Sequence, residues 1–258
     1  MKELTMNIFD NDEGPRHENL SSAPLCATDE FEIVNQWLGW GEPKNGIWFI
    51  GVEEAFGWKC NTPEELACSK KKISAMKSNR YSEFSDKLTR ETVNWPVAVG
   101  TAKIAAIANG KNLSEWRKYR DEELWLPGCM VFNGNILSLG KPSLAHDLPH
   151  GFVELFGFGE NDYRKYYEQV KHDRFEAFKR FRNEHRPRAI VCFGMSHWIQ
   201  FKQLFAMVDE KANCVEELQT QVYEKNRVIL TRHFSNGMAD KTIEFIGRTI
   251  ARWKSTPQ

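Results

Sequence analysis

The sequence predicts an α/β protein, a three-layer α/β/α sandwich around a central, mostly parallel four-stranded sheet. Two observations predict it. Short runs of consecutive apolar residues, "GIWFIG" at 46–51, "CMVF" at 129–132 and "AIVCF" at 189–193, read as strands buried on both faces. Longer stretches with apolar residues at helical spacing lie between them, the alternation that builds a parallel sheet covered by helices. At 258 residues and 41% hydrophobic, the chain has material for one such core.

The elements follow in order. Residues 1–27 are polar and carry Gly14, Pro15 and Pro24, the composition of a loosely ordered arm, and residues 28–258 read as a single domain. Thr28 caps a helix to about Leu38, with Phe31, Val34 and Leu38 on one face. The first strand, 46–51, is followed by "TPEE" at 62–65, where a cap residue, an N1 proline and early carboxylates stand in the order of a helix start. A helical, Trp-rich region runs to about Asp121, with Pro96 separating two of its helices. The second strand, 129–132, runs into "NGNILSLGKPS", and a loop with His146 and His150 follows. A long helix is expected from about 161 to 185, stopped by Pro187, then the third strand and a helix from Ser196 to about Met207. Residues 219–223 and 227–231 read as a hairpin or two sheet strands, and a last helix covers roughly 238–253.

Composition narrows the function classes. Thirty-five basic and thirty-five acidic side chains cancel, so any anion-binding surface must be local. Six cysteines, Cys26, Cys60, Cys68, Cys129, Cys192 and Cys214, form no CxxC pair and read as reduced thiols of a cytoplasmic protein. There is no apolar leader at the start and no stretch long enough to cross a bilayer, so no membrane association is expected. Neither GxxxxGK[ST] nor GxGxxG occurs, and His146, His150 and His172 have no zinc-site spacing.

Ligands of parallel sheets bind beyond the carboxyl ends of the strands. Those ends read Gly51-Val52-Glu53-Glu54, Asn133-Gly134-Asn135, Gly194-Met195-Ser196 and His233-Phe234-Ser235-Asn236. Each polar residue alone has an ordinary structural reading, as a turn residue, a cap or a locally satisfied histidine. Their coincidence at one edge makes them candidates.

In that order, "IWFIGVEE", "VFNGNILSL", "RPRAIVCFG" and "VILTRHFSNG" resemble the motifs of the uracil-DNA glycosylase superfamily across residues 47–237. The resemblance implies a monofunctional DNA glycosylase with no cofactor, acting as a monomer on duplex DNA with a flipped base or on single-stranded DNA. It implies Glu53 as the group that orients or deprotonates water, with Glu54 the fallback, and His233 as the group that stabilises charge on the departing base. Asn135 would read the base, Asn133 being the alternative, and Phe56 or Trp58 would stack on it. An iron–sulfur cluster of one branch has no counterpart, since Cys26 stands alone and Cys60-x7-Cys68 has the wrong spacing.

The departures from the family pattern bear on substrate. Phe234 and Asn236 replace both prolines of the last motif, and Glu54 replaces that of the first. Ala55 stands where the most uracil-restricted branch has a bulky aromatic that crowds C5, which removes a steric veto against 5-substituted bases. Hydroxymethylated or glucosylated cytosine of phage DNA is therefore the favoured substrate. Uracil or damaged-base repair, a nucleoside hydrolase and a catalytically silent DNA-binding relative are the other readings. Lys141, Ser143, Ser196, Ser235 and Asn236 are candidate phosphate contacts. Phe234 or Met238 is the candidate wedge for the vacated stack. The cations of the long helix, Arg174 and Arg182 among them, alternate with carboxylates and read as a solvated face.

Overall fold

The structure, a computed structural model, describes residues 28–52, 60–76, 95–139, 148, 151–158 and 162–254. Its elements are α1 (Asp29–Gln36), β1 (Gly39–Gly41), β2 (Ile47–Gly51), α2 (Pro63–Met76), α3 (Pro96–Ala108), α4 (Trp116–Glu122) and β3 (Val131–Asn135). They continue with α5 (Phe152–Phe156), α6 (Tyr163–His185), β4 (Ala189–Phe193), α7 (Trp198–Leu204), β5 (Asn213–Val215), β6 (Thr220–Tyr223), β7 (Val228–Thr231) and α8 (Asp240–Lys254).

The sheet has seven strands, not four, in the order β1-β3-β2-β4-β7-β6-β5. The four expected strands form its parallel block, β3-β2-β4-β7. Antiparallel strands extend it at both edges: β1 pairs with β3, and β6 and β5 continue from β7. The expected 219–223/227–231 hairpin is the β6–β7 pair. β1 and β5 were not foreseen because each is three residues long, and Gly-Trp-Gly in β1 lacks a strand's usual composition. Pairing with β3 holds β1 in place all the same. β3 also starts and ends later than expected, since β2 pairs with it from Val131 through Asn135.

Alternation along the strands assigns the two faces. Trp48 and its cross-strand partner Phe132 meet Phe181 of α6, with ring centroids 5.2 and 5.3 Å away. Phe49 and its partner Asn133 face the other way, toward the layer that holds α3. There α3 packs on α8, and Gly247 allows the approach, since a Cβ would lie 2.7 Å from Ile107. Among the described residues no helix is long and apolar enough to cross a membrane.

Helix α6 carries the one clear reversal of expectation on this scale. Arg174 is only 2% exposed. Its guanidinium donates to the carbonyls of Asn35 (2.6 Å) and Trp37 (3.2 Å) at the end of α1, and to those of Asn135 (2.5 Å) and Ile136 (3.2 Å) at the exit of β3. The last carbonyls of a helix have no partner within it and sit at the negative end of its dipole, so a cation satisfies them twice over. Arg182 is likewise half-buried, donating to the Asn226 carbonyl at 3.1 Å with its guanidinium 5.5 Å from the Phe205 ring.

Replacing Arg174 by Ala leaves several buried carbonyls without donors, each costing about 1–3 kcal/mol. Arg174→Ala is therefore expected to lower the unfolding free energy by at least about 3 kcal/mol in a denaturant titration; a loss below about 1 kcal/mol would contradict this account of α1 and β3.

Candidate functional site

The parallel block brings four strand ends to one edge. β2 ends at Gly51, opposite Asn135 of β3. The pairing continues past the sheet, with Ile136 N donating to Gly51 O at 3.1 Å and Leu137 N to Val52 O at 2.8 Å. Asn135 is thus fixed by its backbone on both sides, by these bonds and by Arg174. Its side-chain oxygen lies over Gly51, where a Cβ would collide with it. The same Cβ would come within 2.9 Å of the Phe193 ring. The missing side chain at Gly51 is what lets a carboxamide from β3 and an aromatic ring from β4 close on the end of β2.

Phe193 links this corner to the last strand. Its ring lies edge-on to His233 at 5.3 Å and against Phe234 at 4.6 Å. After Phe193, Gly194 takes a φ of +126°, and its N–H donates to the Thr231 carbonyl at 3.0 Å, tying the ends of β4 and β7 together. Two residues beyond Thr231, His233 is extended (φ −69°, ψ 140°) and caps a short 3-10 turn, Phe234–Asn236. Its Nδ1 accepts from the Ser235 backbone N–H at 3.2 Å and meets the Ser235 hydroxyl at 2.6 Å. An Nδ1 that accepts from a backbone N–H carries no proton, so the neutral ring bears its proton on Nε2. Burial holds the imidazole below its ordinary value of 6.5, because the charged form loses hydration. The result is a neutral donor of fixed tautomer at the rim.

The sequence-predicted residues divide accordingly. Asn135 and His233 stand at the same edge, on β3 and just beyond β7, with Gly51 and Phe193 between them. Asn133 lies deeper, 2% exposed, with Trp125 Nε1 donating to its oxygen at 2.9 Å and its amide donating to Thr101 Oγ1 at 3.4 Å. Its carboxamide is engaged inside the protein. Ser196 is exposed on the turn after β4, its hydroxyl 2.9 Å from His197 Nδ1. Ser235 is exposed but engaged with His233, and Asn236 shares its turn. Glu53, Glu54, Ala55, Phe56, Trp58, Lys141, Ser143, His146 and His150 lie outside the described residues. Phe234, expected as a wedge, is buried at 5% exposure: it packs on Phe49 and Phe193, and Gly100 of α3 makes room for its ring. Met238 is partly buried against the same core.

Sequence reasoning missed two parts of the site. Phe193 reads only as the last apolar residue of a strand. A cleft beside Asn135 also had no signal: Trp37, Trp40, Leu137, Ser138 and Arg174 line it together with Asn135. Trp37 and Trp40 stack there at 5.9 Å, and Trp40 meets Trp125 edge-on at 5.7 Å.

The His233 environment gives a pH prediction. With a folded value below 6.5, the native protein binds fewer protons than the unfolded chain in the interval beneath 6.5. The associated stability is fully present above 6.5 and is lost as pH falls through the folded value. NMR titration of His233 is expected to give a midpoint below 6.5, and a midpoint above it would contradict the buried, neutral assignment. No protein-family model matches this chain, and no curated protein matches it.

Proposed function

We propose that the chain is a monofunctional DNA glycosylase related to the uracil-DNA glycosylase superfamily. It hydrolyses the N-glycosidic bond of a flipped, modified base and leaves an abasic site. The favoured substrate is a 5-modified cytosine, hydroxymethylated or glucosylated, as in phage DNA. The observation that carries this reading is the presence of the Asn135 carboxamide and of a neutral His233 with its proton on Nε2 at the same edge of the sheet. A carboxamide offers one donor and one acceptor, which match the N3–C4 edge of a pyrimidine. The order of the four motifs along the chain, which singled out these two residues, agrees with the reading.

The chemistry asks for such a set. Water oxygen bonds to C1′ of the sugar while the C1′–N1 bond breaks, and its electron pair goes to the base. Positive charge grows on the sugar and negative charge on the base, chiefly at O2 and N3. Donors already in place at the base edge stabilise that charge without reorganisation. His233 would donate to O2 and Asn135 would hold the N3–C4 edge. Glu53, two residues beyond Gly51, would take the water proton. A base must leave the duplex stack first, and the exposed hydroxyl of Ser196 would hold the backbone at the rim. The protein would act as a monomer in the cytoplasm.

The test is abasic-site formation on a panel of DNAs carrying uracil, hydroxymethyluracil, cytosine, hydroxymethylcytosine and glucosylated hydroxymethylcytosine. Alkali-labile breaks are expected with a 5-modified base. Asn135→Ala and His233→Ala should each slow release by about 10²–10³-fold, the range for one lost transition-state donor. Release of uracil alone would make this a repair enzyme. DNA binding with no release from any substrate would make it a silent relative, and activity on free nucleosides alone a nucleoside hydrolase.

A further inference from the structure

We propose that the surface where α4 packs on α3 seats the phosphate backbone of bound DNA, with Arg117 as the cation that takes a phosphate. The inference rests on the proposed function only for the nature of the ligand and is independent of any base release.

Three cations converge on one indole. The Arg117 guanidinium lies 4.6 Å from the Trp116 ring centroid, that of Arg120 5.3 Å and the Lys103 ammonium 5.5 Å. The ring attracts each of them, but like charges gathered this closely also repel. Two carboxylates offset that repulsion: Asp240 at the start of α8 holds Lys103 at 2.9 Å, and Asp121 holds Arg120 at 2.7 Å. In both pairs the cation is the sheltered partner, with side chains 20% and 14% exposed, while the carboxylates stand 61% and 53% exposed. Three positive charges thus meet two negative ones.

Arg117 is the charge left over. It is exposed, and among the described residues it has neither an ion pair nor a hydrogen bond. The other carboxylates of this segment are engaged elsewhere, Glu115 with the backbone N–H of Asn112 at 2.8 Å and Glu122 with Lys118 at 3.9 Å. Contact with the indole restricts the Arg117 guanidinium without using its N–H groups. Those groups form the fork that grips two oxygens of a phosphate.

Position selects the ligand. Helix α3 passes beside the Phe234–Asn236 turn, where Gly100 makes room for the Phe234 ring. Lys103 stands about one helical turn further along α3, and its partner Asp240 follows soon after that turn in the chain. The cluster therefore begins next to the rim that carries His233, Ser235 and Asn236. Each strand of a duplex brings a phosphate about every 3.4 Å along its axis, so DNA held at that rim has phosphates within reach of the Trp116 surface. A chain with thirty-five basic and thirty-five acidic side chains binds a polyanion through a local excess of this kind.

The experiment titrates the full chain with a duplex oligonucleotide carrying a non-cleavable 2′-fluoroarabino target nucleotide, followed by fluorescence anisotropy at salt concentrations from about 50 to 200 mM. Arg117→Gln is expected to weaken binding about fivefold, the worth of one exposed ion pair, and to make the slope of log K against log salt shallower by about 0.9, one phosphate contact. Arg117→Lys is expected to keep the parent slope, because the charge remains. Lys179→Gln, the same loss of charge on the exposed face of α6, is expected to match the parent. An unchanged slope in Arg117→Gln, an equal change in Lys179→Gln, or competition by polyglutamate as strong as by DNA of equal charge overturns the phosphate seat, and so does failure to bind DNA. A shallower slope in a protein that releases no base keeps the seat and removes the glycosylase reading; base release with an unchanged slope does the reverse.

Discussion

A guanidinium buried behind the sheet edge holds the backbone that presents Asn135 at the candidate site. Arg174 reaches from α6 to the last carbonyls of α1 and to those of Asn135 and Ile136 where β3 ends, and so joins two chain segments just past the end of the β1–β3 ladder. Moving an arginine out of water is expensive, and only a full set of acceptors offsets it. Five backbone carbonyls, counting a long contact to Val34 at 3.5 Å, supply that set. These bonds hold the chain where α1 ends at Gln36 and leads into β1 at Gly39, and they hold the Asn135 backbone opposite the end of β2. The cleft between β1 and the β3 exit is a by-product of the same clamp.

In front of this clamp the packing is governed by an absence. With no side chain at Gly51, Asn135 and Phe193 come together from the two strands that flank β2, and Phe193 in turn backs the His233 ring. The hydrogen bonds at Asn135 and His233 are local, yet their relative placement is inherited from the register of three parallel strand pairs. Sites on rigid strand ends hold such placement better than sites on loops, which suits donors that must be in position before charge develops.

Much of the fold could be read from the chain, for a physical reason. "IWFIG" and "AIVCF" carry no polar side chain and "VILT" only its final threonine, a composition that suits a strand covered on both faces. β1 could not be read, because three residues with two glycines become a strand only when β3 is beside them. Arg174 shows two sequence signals in conflict. Its charge and its acidic neighbours spoke for solvent, while its spacing of four from both Val170 and Phe178 put it on the buried stripe of α6. Spacing decided, since backbone carbonyls took the place of water. At the site, His233 was legible as a polar residue closing a buried strand. Its tautomer was not, because that depends on the backbone N–H of Ser235 after the chain has turned. Asn133 and Asn135 look alike in sequence and differ only in depth: two residues along β3 separate a carboxamide bonded to Trp125 and Thr101 from one at the rim.

The central claim is that Asn135 and His233 together hold the edge of a base taken out of DNA. A crystal structure of the protein with a non-cleavable 2′-fluoroarabino oligonucleotide tests it most directly. The account predicts a pyrimidine turned out of the stack, its N3–C4 edge within hydrogen-bond distance of the Asn135 carboxamide and its O2 within reach of His233 Nε2. A target base still stacked in the DNA, or bound away from the ends of β3 and β7, would contradict it.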